Sequence, residues 1–198
     1  MDTGDGTIHD TCTGLQWEKK NSSDGVPDAF NLHDVDNTYA WVGRCWRIAE
    51  PCQPSEAAAA ACQVQDGGLG CTVCGQGDWC YFEGHAVLTT IWDWIARVNA
   101  EEFAGHSDWR VASEAGRNLC PICDPRELER ILLRPYYCDT SPCIDPIFGP
   151  TRDGGYWSST FFASQPELYA FQVEFLSGMV FTESKFADRY VRAVRGGP

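Results

Sequence analysis

Eleven cysteines in 198 residues constrain this chain more than any other feature of its sequence. They are Cys12, Cys45, Cys52, Cys62, Cys71, Cys74, Cys80, Cys120, Cys123, Cys138 and Cys143. Thiols at this density stabilise a protein only when they bind metal or, in an oxidising compartment, when they pair into disulfides. We therefore expect an exported, disulfide-rich protein. Because the count is odd, either one thiol stays free or one bridge joins two molecules.

The first residues of the sequence and its net charge limit where this protein is located and what it binds. Met1 is followed at once by Asp2 and Thr3, so no signal peptide is visible. We expect a secreted, extracellular or cell-envelope protein whose export signal has been removed; the alternative is an intracellular protein whose thiols bind metal. No apolar run approaches the roughly 20 residues of a spanning helix, so no transmembrane segment is expected. The net charge of −13 repels phosphate backbones, so no nucleic-acid partner is expected.

The hydrophobic pattern changes twice along the chain. Alternating apolar residues predict strands at 6–10, 15–19, 169–175, 179–182 and 190–195. In the 169–175 strand, the alternation assigns Phe171, Val173 and Phe175 to the core. An apolar stripe from 87 to 103 predicts one helix, and a second begins at Asp124 and ends before Pro135. Strands at both ends around central helices predict a single α+β domain, residues 1–198, whose termini meet in one sheet.

Residues 44–84 depart from this pattern. They contain six of the cysteines, a five-alanine run at 57–61 and little apolar periodicity. This composition predicts a disulfide-rich insertion within the domain.

Two Cys-x-x-Cys pairs leave several kinds of chemistry open. Cys71 with Cys74 and Cys120 with Cys123 could form disulfides, supply four thiolates to one zinc ion, or act as a redox pair. Disulfides are favoured because other cysteines surround both pairs. Cys138 and Cys143 are separated by a short turn, and we predict that these two form a disulfide.

An acidic loop offers a second kind of metal site. Asp28, Asp34 and Asp36 place hard oxygen ligands within ten residues, as calcium prefers, although the order of an EF-hand is absent. The alternative is a solvated acidic loop. For catalysis, the sequence has no nucleophile elbow, phosphate loop or His-Glu-x-x-His motif, and we expect no enzymatic activity.

Seven segments occur in an order that resembles a known family. They are DGT (5–7), TGLQWEKK (13–20), HDVDNTYAW (33–41), FAGHSDWR (103–110), SPCIDPIFGPT (141–151), YWSST (156–160) and YVRAVR (190–195). Together they resemble the bacterial domain family that includes the C-terminal domain of the Legionella collagen-like adhesin. The resemblance covers nearly the whole chain outside 44–84.

The resemblance implies a C-type-lectin-like fold: a small antiparallel sheet, two main helices and long loops that carry the ligand face. It also implies an exported, non-enzymatic binding module of an adhesin or envelope protein, with carbohydrate or protein at a cell surface as ligand. Trimers in one relative leave a homo-oligomer open here. The adhesin relative binds sulfated glycosaminoglycans, but a net charge of −13 argues against a polyanionic ligand for this chain. The alternatives are a structural subunit of an extracellular oligomer or filament, and an enzyme that uses a cysteine pair or a metal.

We place the binding face on two late loops, because connecting loops can expose groups on a rigid base. The alternative is that these loops cap the sheet or meet a neighbouring subunit. The first, between Thr160 and Gln165, offers an aromatic platform beside hydrogen-bonding groups: Phe161, Phe162, Ser164 and Gln165. The second, between Thr182 and Arg189, offers charges of both signs: Glu183, Lys185, Asp188 and Arg189.

Mild reduction should destabilise the 44–84 insertion before the rest of the domain. With few periodic apolar residues there, disulfides must supply the restriction of its conformational entropy. Limited proteolysis after mild reduction is expected to cut first within 44–84, with the unreduced protein as control. Initial cleavage within 86–103 would contradict the prediction.

Overall fold

The computed structural model describes residues 1–42, 90–113, 126–133, 138–166 and 168–197. The nine strands of this part are β1 (Thr7–His9), β2 (Leu15–Glu18), β3 (Tyr39–Ala40), β4 (Arg110–Val111), β5 (Gly155–Phe161), β6 (Tyr169–Glu174), β7 (Met179–Ser184), β8 (Asp188–Arg189) and β9 (Ala193–Gly196). Two helices, α1 (Ile91–Ala100) and α2 (Glu127–Arg130), and two 3-10 turns, Phe103–Gly105 and Pro146–Phe148, complete it. The predicted insertion at 44–84 lies outside the described residues, as do both Cys-x-x-Cys pairs.

The two ends of the chain meet in one antiparallel sheet, as predicted. Its strand order is β1-β2-β9-β4. Trp17 on β2 lies opposite Ile8 on one side and Val194 on the other. The turn between β1 and β2 passes through Gly14 at φ +72°, a conformation that an L side chain rarely adopts. The first hairpin and the last strand therefore support each other.

The late strands form a second antiparallel sheet of order β5-β6-β7. Val173 on β6 lies between Tyr156 of β5 and Val180 of β7. A turn through Ser177 and Gly178 joins β6 to β7, with Gly178 at φ +70°. A two-stranded sheet pairs β3 with β8, and Tyr39 lies opposite Arg189. The described part is thus mixed, with mostly antiparallel sheets and two short helices. None of its helices has the length and apolar character that crossing a membrane requires.

Helix α1 is shorter than the 87–103 stripe that predicted it. Thr90 caps its first turn, with the hydroxyl accepting a hydrogen bond from the Asp93 amide at 3.1 Å. Ile91, Trp94, Ile95 and Val98 are buried at three- and four-residue spacing. The helix ends at Ala100, and Phe103 belongs to the 3-10 turn that follows.

Helix α2 also differs from its prediction. It has four residues, and Arg126, not Asp124, occupies the position before its first residue. Asp124 and Pro135 lie outside the described residues. The Glu127 carboxylate accepts two hydrogen bonds from Arg110, both at 2.6 Å, and one from the Ser113 amide at 2.7 Å. This carboxylate therefore joins α2 to β4.

Two clusters of buried side chains form the core. One surrounds α1 and includes Leu32, Trp41, Trp92, Trp94, Trp109, Trp157 and Val191. The other lies between the two larger sheets and includes Ile8, Leu15, Trp17, Leu128, Tyr156, Val173, Phe175 and Val194. Three buried indole N–H groups, those of Trp41, Trp94 and Trp157, donate to the backbone carbonyls of Ser158, Leu32 and Tyr39 at 2.8–2.9 Å.

The alternation of β6 predicted one core residue wrongly. Val173 and Phe175 are fully buried, but Phe171 is only half-buried. Phe171 shares their face of the strand, but it lies outside the second cluster. Its ring instead packs edge to face against Phe162, with ring centroids 5.9 Å apart.

A buried ion cluster joins β2 to the rest of the domain. The Glu18 side chain has no solvent exposure; Oε1 lies 2.9 Å from Lys20 Nζ and 2.7 Å from His33 Nδ1. Its Oε2 accepts the Ala193 amide at 2.8 Å. The buried Arg192 guanidinium donates to the backbone carbonyl of Glu18 at 2.7 Å. A charge with these partners stabilises the fold, whereas the same charge without them would be costly.

Acid should weaken the domain through Glu18. Burial alone would raise the pKa of this carboxyl, but Lys20 and His33 outweigh it and lower the pKa to about 2. A lowered pKa contributes stability that is complete above the unfolded value of 4.5 and lost as pH falls toward 2. We expect about 3 kcal/mol of unfolding free energy to disappear across this window, measured by urea unfolding.

The Glu18→Gln variant is the control. At neutral pH it should be less stable by about 3–5 kcal/mol, because the buried Lys20 loses its counter-charge. Its stability should also depend less steeply on pH in the acid window. A variant with the wild-type pH slope would show that other carboxyls dominate the acid transition.

Candidate functional site

The two loops predicted to bind ligand lie side by side at one end of the β5-β6-β7 sheet. Phe161 at the end of β5 is paired with Ala170, and Ala170 with Glu183 near the end of β7. The pairing continues past the strands, since the Lys185 amide donates to the Leu168 carbonyl at 2.9 Å. We call residues 161–166 and 183–189 the loop surface. The structure therefore brings together what the sequence placed about 20 residues apart.

In the first loop, the polar residues are more accessible than the aromatic ones. Phe161 and Phe162 are half-buried, whereas Ser164 and Gln165 are exposed. The Gln165 amide donates to the Phe162 carbonyl at 2.9 Å and closes the turn. Since Phe162 also packs against Phe171, this ring supports the loop and leaves only part of its face available to a ligand.

In the second loop, Arg189 is held by three acceptors. Its Nε donates to Gln172 Oε1 at 2.9 Å, its Nη2 to Glu183 Oε2 at 2.6 Å and its Nη1 to the Asp188 carbonyl at 2.8 Å. The Arg189 and Glu183 side chains keep 31% and 30% of their accessibility, so the pair is reachable from solvent. A guanidinium and a carboxylate are thus fixed beside each other at the surface. Because both side chains are already ordered, little further side-chain entropy is lost when a ligand binds.

Lys185 does not belong to the accessible surface, contrary to the prediction. Its side chain is fully buried, and Nζ lies 3.6 Å above the centroid of the Trp41 ring and 5.7 Å from that of Phe161. A desolvated ammonium over an indole is a favourable cation–π contact. Lys185 therefore fastens the second loop to the core instead of meeting a ligand.

Phe186 is a surface residue that the sequence interpretation missed. Its side chain is 41% exposed, immediately after the buried Lys185. The sequence carried a signal for it, since one large aromatic residue stands among polar neighbours in a turn, where no alternation assigns it to a core. With Phe186 included, the loop surface has an aromatic group on each loop.

The chain leaves and re-enters the described part next to the loop surface. The amides of Trp41 and Val42 both donate to the Lys185 carbonyl, at 2.9 and 3.1 Å. Thr90 forms a parallel bridge with Ala40. The segment between these points, which holds the predicted insertion, therefore begins and ends beside the second loop.

The three aspartates proposed for calcium are engaged with the protein itself. Asp36 forms an ion pair with Arg152 and accepts the Gly25 amide at 2.7 Å. Asp34 Oδ1 accepts the Asp36 amide at 2.8 Å, and Asp28 Oδ1 accepts that of Phe30 at 2.9 Å. In the part of the chain that the structure describes, no three His, Cys, Asp or Glu side chains are grouped to hold a metal ion. Calcium binding by this loop stays a prediction.

Among the described cysteines, the predicted local disulfide is confirmed. Cys138 and Cys143 are bonded, with their Cα atoms 5.5 Å apart. Cys12 is exposed and free, at the turn of the first hairpin. The eight other cysteines lie outside the described residues, so the choice between disulfides, zinc and redox chemistry for the Cys-x-x-Cys pairs stays open.

Comparison with protein families identifies the family of this chain. The profile of a protein family described as the Lcl C-terminal domain matches residues 6–195, which is nearly the whole chain. No curated protein and no solved structure matches the sequence.

Lys185→Ala should act on stability and not directly on binding. Removal of the buried side chain deletes its contact with Trp41 and leaves a cavity, so the unfolding free energy should fall by about 2–3 kcal/mol. Urea unfolding measures this change in free energy. The control is Ser164→Ala on the exposed first loop, for which we expect a change within about 0.5 kcal/mol. Equal effects of the two substitutions would contradict the structural role of Lys185.

Proposed function

Because the chain belongs to the Lcl C-terminal domain family, we propose that it is an exported, non-enzymatic binding domain of adhesin type. Its fold is proposed to be C-type-lectin-like. In support, the chain termini share one antiparallel sheet, and the late strands form a separate three-stranded sheet. The cysteine content supports an extracellular or envelope location, where disulfides persist.

The loop surface is the proposed ligand site. The observation that carries this proposal is the ion pair of Arg189 and Glu183, in which Gln172 holds Arg189 in place. Both charged residues are three positions along the chain from the exposed Phe186. Donors and acceptors held in position, with an exposed aromatic ring on the same loop, are what a polar ligand with an apolar face needs. A site whose side chains are already ordered loses less entropy when it binds.

A neutral carbohydrate fits this arrangement best. Sugar hydroxyls both donate and accept, so they can bond to the Arg189 guanidinium and the Glu183 carboxylate together. A sulfated polyanion would gain from Arg189 but meet the net charge of −13. A protein surface with paired polar groups is the other ligand class that the same site could accept, and the binding assay distinguishes the two.

Three substitutions test the site: Phe162→Ala, Phe186→Ala and Arg189→Ala. If these side chains are central contacts, each should weaken binding by about 1–3 kcal/mol, which corresponds to a Kd increase of roughly 5- to 150-fold. The probe is an array of neutral and sulfated glycans, followed by titration with the best neutral glycan and by binding to intact cells. Circular dichroism checks that each variant is folded.

Leu176→Ala is the matched control. Leu176 is 49% exposed in the turn at the opposite end of the same sheet, so its loss removes a similar apolar surface far from the loops. Binding that depends on the loop residues but not on Leu176 supports the site. Binding that none of the three substitutions weakens would place the ligand elsewhere, and binding to cells without any glycan signal would favour a protein ligand.

A further inference from the structure

In the part of the chain that the structure describes, strand β7 has an open edge, whereas the other outer strands of the two larger sheets are covered. Within the described residues, β7 is the last strand of the order β5-β6-β7. On the four-stranded sheet, the N-terminal residues cover β1: the His9 amide donates to the Met1 carbonyl at 2.8 Å, and the Thr3 amide to Thr7 at 3.2 Å. An open edge presents unpaired backbone groups, which is why folded proteins usually protect it.

The remaining edges are joined to each other. The Ser159 amide on β5 donates to the Ala112 carbonyl next to β4 at 2.7 Å. The Trp157 amide, also on β5, donates to the Tyr190 carbonyl beside β8 at 2.9 Å. Both the far side of β5 and the end of the four-stranded sheet are therefore occupied. In the described part, β7 is left as the edge of these two sheets at which another strand can be added.

The backbone groups that face outward from β7 follow from its register. Lys185 and Leu168 are opposite each other and hydrogen-bonded, so by alternation Phe181 also turns its backbone groups toward β6. Val180 and Thr182 then turn theirs outward. Ser184 has the same orientation, but its amide donates to Glu183 Oε1 and its carbonyl accepts the Ala187 amide. The open hydrogen-bonding groups are those of Val180 and Thr182.

The side chains of this edge are apolar where a protected edge would carry charge. Met179 is 42% exposed and Phe181 is 39% exposed, on the same face of the strand. Residues 179–184 contain no proline and no lysine, and their one charged residue, Glu183, is paired with Arg189. The strand itself therefore lacks the proline and lysine that commonly keep an edge strand from pairing.

We propose that β7 of a second copy of this chain pairs with β7, antiparallel, around a two-fold axis at Phe181. In this register, Val180 of each copy lies opposite Thr182 of the other, and each pair exchanges both backbone hydrogen bonds. Phe181 lies opposite Phe181 of the second copy, in a pair where side chains approach closely. Met179 lies opposite Glu183, so no like charges face each other.

The topology explains why the contact is two-fold. A head-to-tail chain of edge contacts needs two different open edges in one sheet, and the far edge of β5 is occupied. Pairing of β7 with itself uses the same edge twice and closes after two copies. The two three-stranded sheets become one sheet of six strands, which removes the exposed edge from both.

Sedimentation velocity over a range of concentrations tests the proposal, in a Cys12→Ser background so that no intermolecular disulfide at Cys12 contributes. We expect twice the mass of one chain. Thr182→Pro removes an outward N–H without touching the ladder to β6, and it should shift the protein toward monomer, with the apparent dimer Kd raised at least tenfold. Thr182→Val at the same position keeps the N–H and should remain dimeric.

Crosslinking gives an independent readout in the same background. Phe181→Cys places two thiols on the axis, where opposite Cα atoms are about 4.5 Å apart, within disulfide range. It should form a covalent dimer on mild oxidation, whereas Glu183→Cys, two residues from the axis, should not. A monomer at every concentration would overturn the proposal, as would an assembly that Thr182→Pro leaves unchanged.

Discussion

The charge of Glu18 is neutralised inside the protein, and the packing of three separate segments depends on it. The carboxylate meets Lys20 just after its own strand, His33 on the aspartate-rich loop and the Ala193 amide at the start of the C-terminal strand. Arg192 then holds the Glu18 carbonyl. Without any one of these partners, a buried charge would be left that hydrophobic packing nearby could not compensate. The cluster therefore fixes how the first hairpin, the loop and the last strand fit together.

The fixed packing of these segments makes the loop surface rigid. The three-stranded sheet packs on the same core, so the loops at its end start from rigid positions. Within the loops, Lys185 is anchored over Trp41, and Arg189 is held by Gln172 and Glu183. Few degrees of freedom remain in the groups that a ligand would meet. This is the arrangement that binding domains use when a stable fold carries variable surface loops.

Much of the fold could be predicted from the sequence because strand alternation is a strong signal. Both hairpins, the meeting of the termini and the Cys138–Cys143 bond follow from local patterns. Helix ends could not be read, because apolar residues continue the helical spacing past Ala100 into a turn. Phe171 shares the alternation of core residues, but only the tertiary structure shows that it lies outside the second cluster.

The candidate site was predictable in position but not in composition. Loops that follow adjacent strand ends must lie together, so their juxtaposition follows from the hairpin. Lys185 was misjudged because lysine usually keeps its ammonium in water, and only a contact with a residue 144 positions away, Trp41, explains its burial. The hydrogen bonds of Arg189 could not be predicted from local sequence either, since its partner Gln172 lies on a different strand.

The bridge between Ala40 and Thr90 also bears on how this domain can diversify. The two points where the chain departs and returns are held together by the core, whatever the intervening 43–89 segment contains. The entropic penalty of closing a loop grows only logarithmically, by about 0.6 kcal/mol for each doubling of its length. Segments of very different size could therefore be exchanged at this position without loss of the frame. The fold can therefore carry segments of different length and sequence next to its proposed binding loops.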